Sequence, residues 1–274
     1  MRRTKRTLAI VAFTLVSCST PILPASTPTS GPVKLRVYAT TATLPLLNDL
    51  MARYADLHPT ITFEIFSGNF DTTFEHLMAN DEPSYLITNH LPDEAVTDAP
   101  TLAWPIGQDG IAVIVHPDNP VSELTTDQLR SIYLGHLTNW LDVGGDDDDL
   151  TILSREDGSG TRAEFERLVM GERLTTLAAQ MAPSSEALVT MVANDPGSIG
   201  YVSISYLDDS VKALAVDGIL PTPGSVYENH YPLRATLFII GLVEPEAAER
   251  DFISWVQGVE GQQIVGERYA PLLR

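Results

Sequence analysis

Short polar turns recur where apolar, strand-like runs give way to helical patterns, and this rhythm constrains the fold more than any single residue does. The clearest case is Ser154-Arg155-Glu156-Asp157-Gly158-Ser159-Gly160-Thr161-Arg162. The apolar run Leu150–Leu153 leads into it, and Phe165, Leu168 and Val169 leave it at the spacing of one helix face. Thr161-Arg162-Ala163-Glu164 fits a capping box and predicts the helix start at Thr161. Thr40-Thr41-Ala42-Thr43 lies between a strand pattern (Val33, Leu35, Val37) and a helix pattern (Leu46, Leu47, Leu50, Met51, Tyr54). Ser67-Gly68-Asn69 separates Ile61, Phe63 and Ile65 from Phe70, Phe74, Leu77 and Met78. Tyr85–Thr88 is a short strand that runs out at Asn89. In open α/β sheets ligands bind beyond the carboxyl ends of the strands, where all these turns fall.

The remainder keeps the alternation. Gly110–Val115 is a continuous apolar run, the pattern of a strand covered on both faces. Leu124, Leu129, Ile132 and Tyr133 predict a helix, as do Leu188, Val189 and Val192. Ser198–Tyr201, Val211–Val216 and Leu237–Leu242 read as strands. Phe252, Ile253 and Val256 mark one more helix, and a terminal one begins at Gly261. Strands and helices alternating throughout make an α/β protein.

The residue types at the 154–162 turn suit an anion. The first amides of a helix have no partner within it and carry partial positive charge. Gly158 and Gly160 let the backbone approach a ligand, Ser159 and Thr161 add hydroxyls, and Arg155 offers a planar fork for two oxygens. No Gly-Lys-Ser/Thr follows, so this is not a P-loop, and no Gly-x-Ser-x-Gly marks a nucleophile elbow. The six histidines, His58, His76, His90, His116, His136 and His230, show no metal-ligand spacing. The run Asp146–Asp149 lacks the alternating ligands of a calcium loop and reads as a solvated turn. No metal, cofactor or catalytic centre is expected.

Arg2, Arg3, Lys5 and Arg6 precede the apolar stretch Leu8–Val16, which predicts a secretory signal over residues 1–17. It ends at Leu15-Val16-Ser17-Cys18, similar to the lipobox of bacterial lipoproteins, which implies lipid attachment at Cys18 and an extracytoplasmic, membrane-anchored protein. Residues 18–32, with Pro21, Pro24, Pro28 and Pro32 among Ser, Thr and Gly, read as a tether. Cys18 is the one cysteine, so disulfides within the chain are excluded. The formal charge is −19, and loss of the signal leaves 13 basic against 36 acidic residues, −23. Such a balance excludes a nucleic-acid partner. It weighs little against a buried anion, because net charge is screened over about 10 Å.

Several separated strings together give the chain a family resemblance. They are Thr40-Thr41 through Tyr54, His116-Pro117-Asp118-Asn119-Pro120, Leu129–Gly135 with Asn139-Trp140, and Arg155–Thr161. Gly197–Tyr201 and Tyr231-Pro232-Leu233-Arg234 with Gly261-Gln262 complete the set. In this order they resemble the phosphate-binding proteins of bacterial ABC importers, over Val33–Leu273. The resemblance implies a two-lobed periplasmic-binding-protein type II fold, each lobe a mixed sheet flanked by helices, joined by two hinge crossovers. Residues 33–113 and 222–274 would form lobe I and residues 114–221 lobe II.

The resemblance also implies the ligand set. Thr40, Thr41 by hydroxyl and amide, Ala42 by its amide, Ser67 with Gly68, and Asn89 would serve from the first lobe. Arg155, Ser159, Gly160 and Thr161 would serve from the second. The partners implied are inorganic phosphate or a similar tetrahedral oxyanion and the transmembrane subunits of an ABC permease, with the protein acting as a monomer. Alternatives are an anion-sensing lipoprotein or a relative that no longer binds phosphate. One position departs: the family places Asp where this chain has Asn89. Asn carries both an acceptor and donors, so exclusion of sulfate-like anions is expected to relax.

Overall fold

Helix-forming runs alternate with β-branched, apolar runs along this chain, and in the computed structural model they pack as helices around one curled sheet. The structure describes residues 33–80, 82–91, 101–171 and 173–272. The signal segment, Cys18 and the tether lie outside the described residues.

The first half of the chain holds β1 (Val33–Thr40), α1 (Leu44–Leu57), β2 (Ile61–Gly68), α2 (Phe70–Ala79), β3 (Tyr85–Thr88) and β4 (Leu102–Val115). Then follow β5 (Glu123–Leu124), α3 (Thr126–Tyr133), β6 (Thr151–Arg155), α4 (Gly160–Phe165), β7 (Gln180–Ala182), α5 (Ser185–Asn194) and β8 (Ser198–Ser203). The chain ends with β9 (Lys212–Ala213), β10 (Ala215–Val216), α6 (Pro223–Tyr227), β11 (Arg234–Gly241), α7 (Ala247–Gln257) and α8 (Val259–Arg268).

The main sheet runs β2-β1-β3-β11-β4-β8-β6-β7, with β9 also on β4. β1 pairs in parallel with β2 and β3, and β6 in parallel with β7 and β8. β11 is antiparallel to β3 and β4, and β4 is antiparallel to β8. The long strand β4 joins two halves of the sheet. Its residues Leu102–Gly110 pair with β11 and its residues Ile111–Val115 pair with β8. The handover falls between Gly110 and Ile111, one residue past Asp109.

Burial follows the apolar spacing. Leu46, Leu47, Leu50 and Tyr54 form the inner face of α1, and Tyr54 meets Phe252 of α7 with ring centroids 5.0 Å apart. Ile111–Val115 is fully buried, as the unbroken apolar run required. The strand begins earlier than that run, at Leu102, because its first half, broken by Pro105, Gly107 and Asp109, is held by pairing with β11. The register shifts at Leu237/Phe238, opposite Pro105, which has no N–H to give a ladder.

Other sequence expectations need correction. Ile61, Phe63 and Ile65 are only half covered or exposed, since β2 is an edge strand. The run Val211–Val216 divides into β9 on β4 and β10 on β5, so the chain leaves one sheet for a small second one. The terminal helix starts at Val259 rather than Gly261. Asp146–Asp149 is an exposed turn, with Asn139 Nδ2 donating to Asp147 Oδ1 at 3.0 Å. Among the described residues no helix is long and apolar enough to cross a membrane.

The handover in β4 depends on a missing side chain. A Cβ on Gly110 would lie 2.8 Å from Val226 Cγ2 and 2.9 Å from Ile204 Cγ2. Both neighbours are β-branched and buried, so neither rotamer yields easily. Gly110→Ala is therefore expected to destabilise the fold by about 1–3 kcal/mol, measured by urea denaturation against wild type.

Candidate functional site

Strand ends from both halves of the sheet converge on one buried polar cluster. β6 ends at Arg155, whose side chain is 1% exposed. A guanidinium so removed from water must have partners. Its Nε donates to Glu156 Oε2 at 2.9 Å and its Nη2 to Glu156 Oε1 at 2.9 Å. Nη1 donates to Ser185 Oγ at 2.9 Å, at the start of α5. Nη2 also donates to Thr41 Oγ1 at 3.2 Å, reaching the turn after β1 in the other half of the sheet. Since the Thr41 hydroxyl accepts from Arg155, its own proton is left to donate elsewhere.

The Thr40–Thr43 turn is pinned from several sides. Thr40 Oγ1 faces Thr43 Oγ1 at 3.1 Å, so Thr40 braces the turn rather than facing Arg155. Tyr206 donates to the Thr41 carbonyl at 2.6 Å and Tyr269 to the Ala42 carbonyl at 2.7 Å. The Thr41 amide, expected to serve a ligand, instead donates to the Gly68 carbonyl at 2.9 Å. That leaves the Thr41 hydroxyl and the Ala42 amide as donors; among the described residues the latter has no protein acceptor. Ser67 is exposed on edge strand β2 and is not brought to the cluster, and Gly68 comes near it through its carbonyl alone.

The turn after β6 is built for close approach. Gly158 has φ +80°, and a Cβ there would lie 2.7 Å from Asp71 Oδ2. The chain thus needs glycine both for the left-handed backbone and for contact with α2. Arg162 braces the loop, donating through Nη1 to the Arg155 carbonyl at 3.0 Å and to Asp157 Oδ1 at 2.6 Å. Helix α4 begins two residues earlier than a cap at Thr161 requires. Ser159 is the N-cap, and its Oγ accepts from the Arg162 amide at 3.3 Å. The Ser159 hydroxyl is therefore spent partly on the cap, while Gly160 and Thr161 present the orphan amides of the first turn. A Cβ on Gly160 would lie 3.4 Å from Asn89 Oδ1, so β3's end abuts this helix start.

Asn89 is 1% exposed. Its Nδ2 donates to Asp109 Oδ2 at 3.0 Å and lies 3.4 Å from Thr161 Oγ1. Its Oδ1 is buried and has no protein partner. Asp109 is fully buried, and Ser203 Oγ donates to its Oδ1 at 2.8 Å. Burial pushes the Asp109 carboxyl up to about 7, against the donors Ser203, Asn89 and the backbone amides of Ile204 and Gly110. On the rim, His90 Nδ1 and Glu164 Oε1 stand 2.8 Å apart, and Arg167 Nη2 donates to Glu164 Oε2 at 2.5 Å. A cavity of about 210 Å³ opens there beside Phe70, His90, Ser159 and Arg162.

The structure thus brings together Thr41, Ala42, Asn89, Arg155, Ser159, Gly160 and Thr161 and leaves Thr40, Ser67 and Gly68 in supporting or outer places. Sequence reading missed Asp109, Ser185, Ser203, Tyr206 and Tyr269. A signal existed only for Asp109, an acid set inside an otherwise apolar strand. Among the described residues no group of three His, Cys, Asp or Glu side chains could hold a metal ion.

Polar loops from two halves of a curled mixed sheet, meeting around buried donors, define an α/β protein with one polar cluster shared between the halves. The chain matches the model of the PBP superfamily domain over residues 26–260 and belongs to that superfamily. It is similar to the phosphate-binding protein PstS of Bacillus subtilis, 32% identical over 171 residues, covering 60% of this chain and 55% of that protein. The chain spans about half the length of these curated relatives. A solved structure of a putative phosphate ABC transporter substrate-binding protein with bound phosphate, from Clostridium perfringens, superposes with TM-score 0.84 at 29% identity. That match covers 88% of this chain and all of the other. An ABC-type phosphate transport receptor from Vibrio cholerae shares the fold, with TM-score 0.70 at 24% identity over 85% of this chain and 98% of that one.

The Asp109 carboxyl gives the fold a pH signature. With its pKa raised from 3.8 to about 7, the folded state holds a proton that the unfolded chain has lost. Stability should therefore fall as pH rises from about 4 to 7, by at most about 1.4 kcal/mol per unit, and level off above. Urea denaturation at intervals between pH 5 and 8 should show this slope in wild type and its loss in Asp109→Asn.

Proposed function

We propose that this protein captures inorganic phosphate, or a tetrahedral oxyanion close to it, outside the cytoplasm and delivers it to the permease of an ABC importer. The observation that carries the reading is the bond from Arg155 to Thr41, which joins the two halves of the sheet at a buried cluster of donors. The Thr41 hydroxyl meets that guanidinium; the Ala42 amide, next in the same turn, and the Gly160 and Thr161 groups at the helix start after β6 complete the donor set in this reading. These are the groups an oxyanion needs, since each oxygen accepts more than one hydrogen bond. The match to a phosphate-bound transporter protein at 29% identity supports the choice of anion.

In this reading residues 33–113 with 222–274 form one lobe and residues 114–221 the other. The contacts between them are those of a closed clasp: Asn69 Nδ2 to the Asp157 carbonyl at 3.4 Å, Asp71 amide to the Gly158 carbonyl at 3.1 Å, and His90 to Glu164. Opening is a hinge motion through β4 and the segment leading into β11. Closure and opening suffice for capture and release, so no catalysis is invoked. Lipidation at Cys18 and the tether through residue 32 would hold a single chain near its permease.

Removing the guanidinium should abolish most binding. Arg155→Ala leaves the Glu156 carboxylate uncompensated beside the anion and the Thr41 turn without its partner; an unpaired charge of this kind costs about 2–5 kcal/mol, so phosphate binding should weaken about 30-fold or more by calorimetry. Binding as tight as wild type in that variant would place the site elsewhere.

A further inference from the structure

Asn89 stands where the family resemblance places Asp, and its surroundings remove the ambiguity of an amide. We propose that Asp109 is a positioning residue that locks Asn89 with its carbonyl toward the ligand, so that this site takes oxyanions carrying a proton and rejects those without one. The inference rests on the oxyanion-capture reading and adds the protonation state of the guest.

Geometry carries it. An Asn side chain has two donor hydrogens and one acceptor oxygen. Asp109 Oδ2 receives Nδ2 at 3.0 Å, and Thr161 Oγ1 lies 3.4 Å from the same nitrogen. Both hydrogens are thereby directed at protein acceptors. Once Asp109 is ionised, as at pH 8, the reverse orientation would set Oδ1 against a carboxylate oxygen, two acceptors with no hydrogen between them. Asp109 is itself held as an acceptor, with Ser203 donating to its Oδ1 at 2.8 Å and the backbone amides of Gly110 and Ile204 aimed at it. What remains is Asn89 Oδ1, buried without a protein partner, beside Gly160 at the start of α4. A buried, unpaired acceptor is costly to leave unmade. A P–O–H of monohydrogen phosphate can satisfy it, whereas sulfate has no hydrogen to offer.

Two consequences follow for the network. Donation to a carboxylate polarises the amide and strengthens its oxygen as an acceptor. Thr161, accepting from Asn89, keeps its own hydroxyl proton for the anion. The pair thus divides the work of a single Asp: the negative charge lies one side chain behind the site, and a neutral acceptor faces the guest. The expected relaxation toward sulfate, drawn from the Asn89 side chain alone, gives way to retained exclusion.

Calorimetry at pH 8 with phosphate and sulfate tests this. Wild type is expected to bind phosphate at least about 100-fold more tightly than sulfate. In Asp109→Asn the amide of residue 89 is free to turn a donor inward, and the preference should narrow at least tenfold. Asn89→Asp sets two carboxylates together, and phosphate affinity should fall at least tenfold. The exchange Asn89→Asp with Asp109→Asn rebuilds the pair with its acceptor inward and should restore both affinity and preference, which repair of mere stability would not do. Equal binding of phosphate and sulfate by wild type overturns the inference even if no variant folds, and leaves oxyanion capture standing. An Asp109→Asn variant with unchanged preference, or an Asn89→Asp variant binding phosphate as wild type does, also overturns it. A wild type that binds neither anion instead refutes the underlying reading of function.

Discussion

A guanidinium buried to 1% exposure is the demand around which this molecule is arranged. Arg155 enters the interior on β6, and its planar fork cannot be left short of acceptors. Glu156, next to it in the chain, takes two of its N–H groups, Ser185 takes one, and Thr41 takes another from the far half of the sheet. An Arg presents five such groups, so these contacts nearly exhaust it. The halves are therefore brought together by the need to complete one side chain's hydrogen bonds. Tyr206 and Tyr269 reinforce the meeting by fixing the Thr41 and Ala42 carbonyls.

The supporting shell explains why this arrangement is stiff where it must be. Ser154 Oγ and Tyr201 OH stand 2.8 Å apart behind Arg155, and Tyr201 stacks on Phe165 with centroids 3.9 Å apart. That stack ties β6, α4 and β8 into one block, so the turn between β6 and α4 moves with its half of the sheet. On the other side, Thr43 Oγ1 donates to the Ile87 carbonyl at 2.6 Å, tying the Thr40–Thr43 turn to β3 and hence to Asn89. Each half thus carries its polar groups as a rigid set. The flexible element in the proposed motion is left to β4 and its Gly110, where the pairing partner changes from β11 to β8.

What could be read in the sequence was what is local. The strand–turn–helix rhythm predicted β1, α1, α2, β3, α3 and α5 because apolar spacing alone decides them. The Gly158–Thr161 turn was legible because glycine and hydroxyl types are demanded by backbone geometry there. Errors arose where a neighbour distant in sequence decides the outcome. Ser67 has the right chemistry, but β2 is an edge strand and leaves it exposed. The Thr41 amide was expected to face a ligand, yet parallel pairing of β1 with β2 spends it on Gly68. The helix cap moved from Thr161 to Ser159, whose hydroxyl caps the Arg162 amide although Ser159 lacks the Glu or Gln of a capping box, and Gly160 at the earlier start packs against Asn89 and His90. Asp109 was missed because an apolar run was read from Gly110 onward, although an acid in a buried strand is the more informative residue.

The charge balance of the cluster accounts for how so acidic a chain could hold an anion. Arg155 is matched by Glu156, so the guest meets no uncompensated cation. Asp109 is set back behind Asn89 and surrounded by donors. What faces the guest is a set of N–H and O–H dipoles: the Ala42, Gly160 and Thr161 amides and the Thr41 and Thr161 hydroxyls. Such groups favour an anion in a water-excluded space and act over a few ångströms, where the net charge of the whole chain has little weight. They belong to both halves of the sheet, so the dipoles converge only when the halves meet. In the proposed function, separation of the halves disperses them and returns the anion to water, and binding becomes reversible without any group having to change its charge.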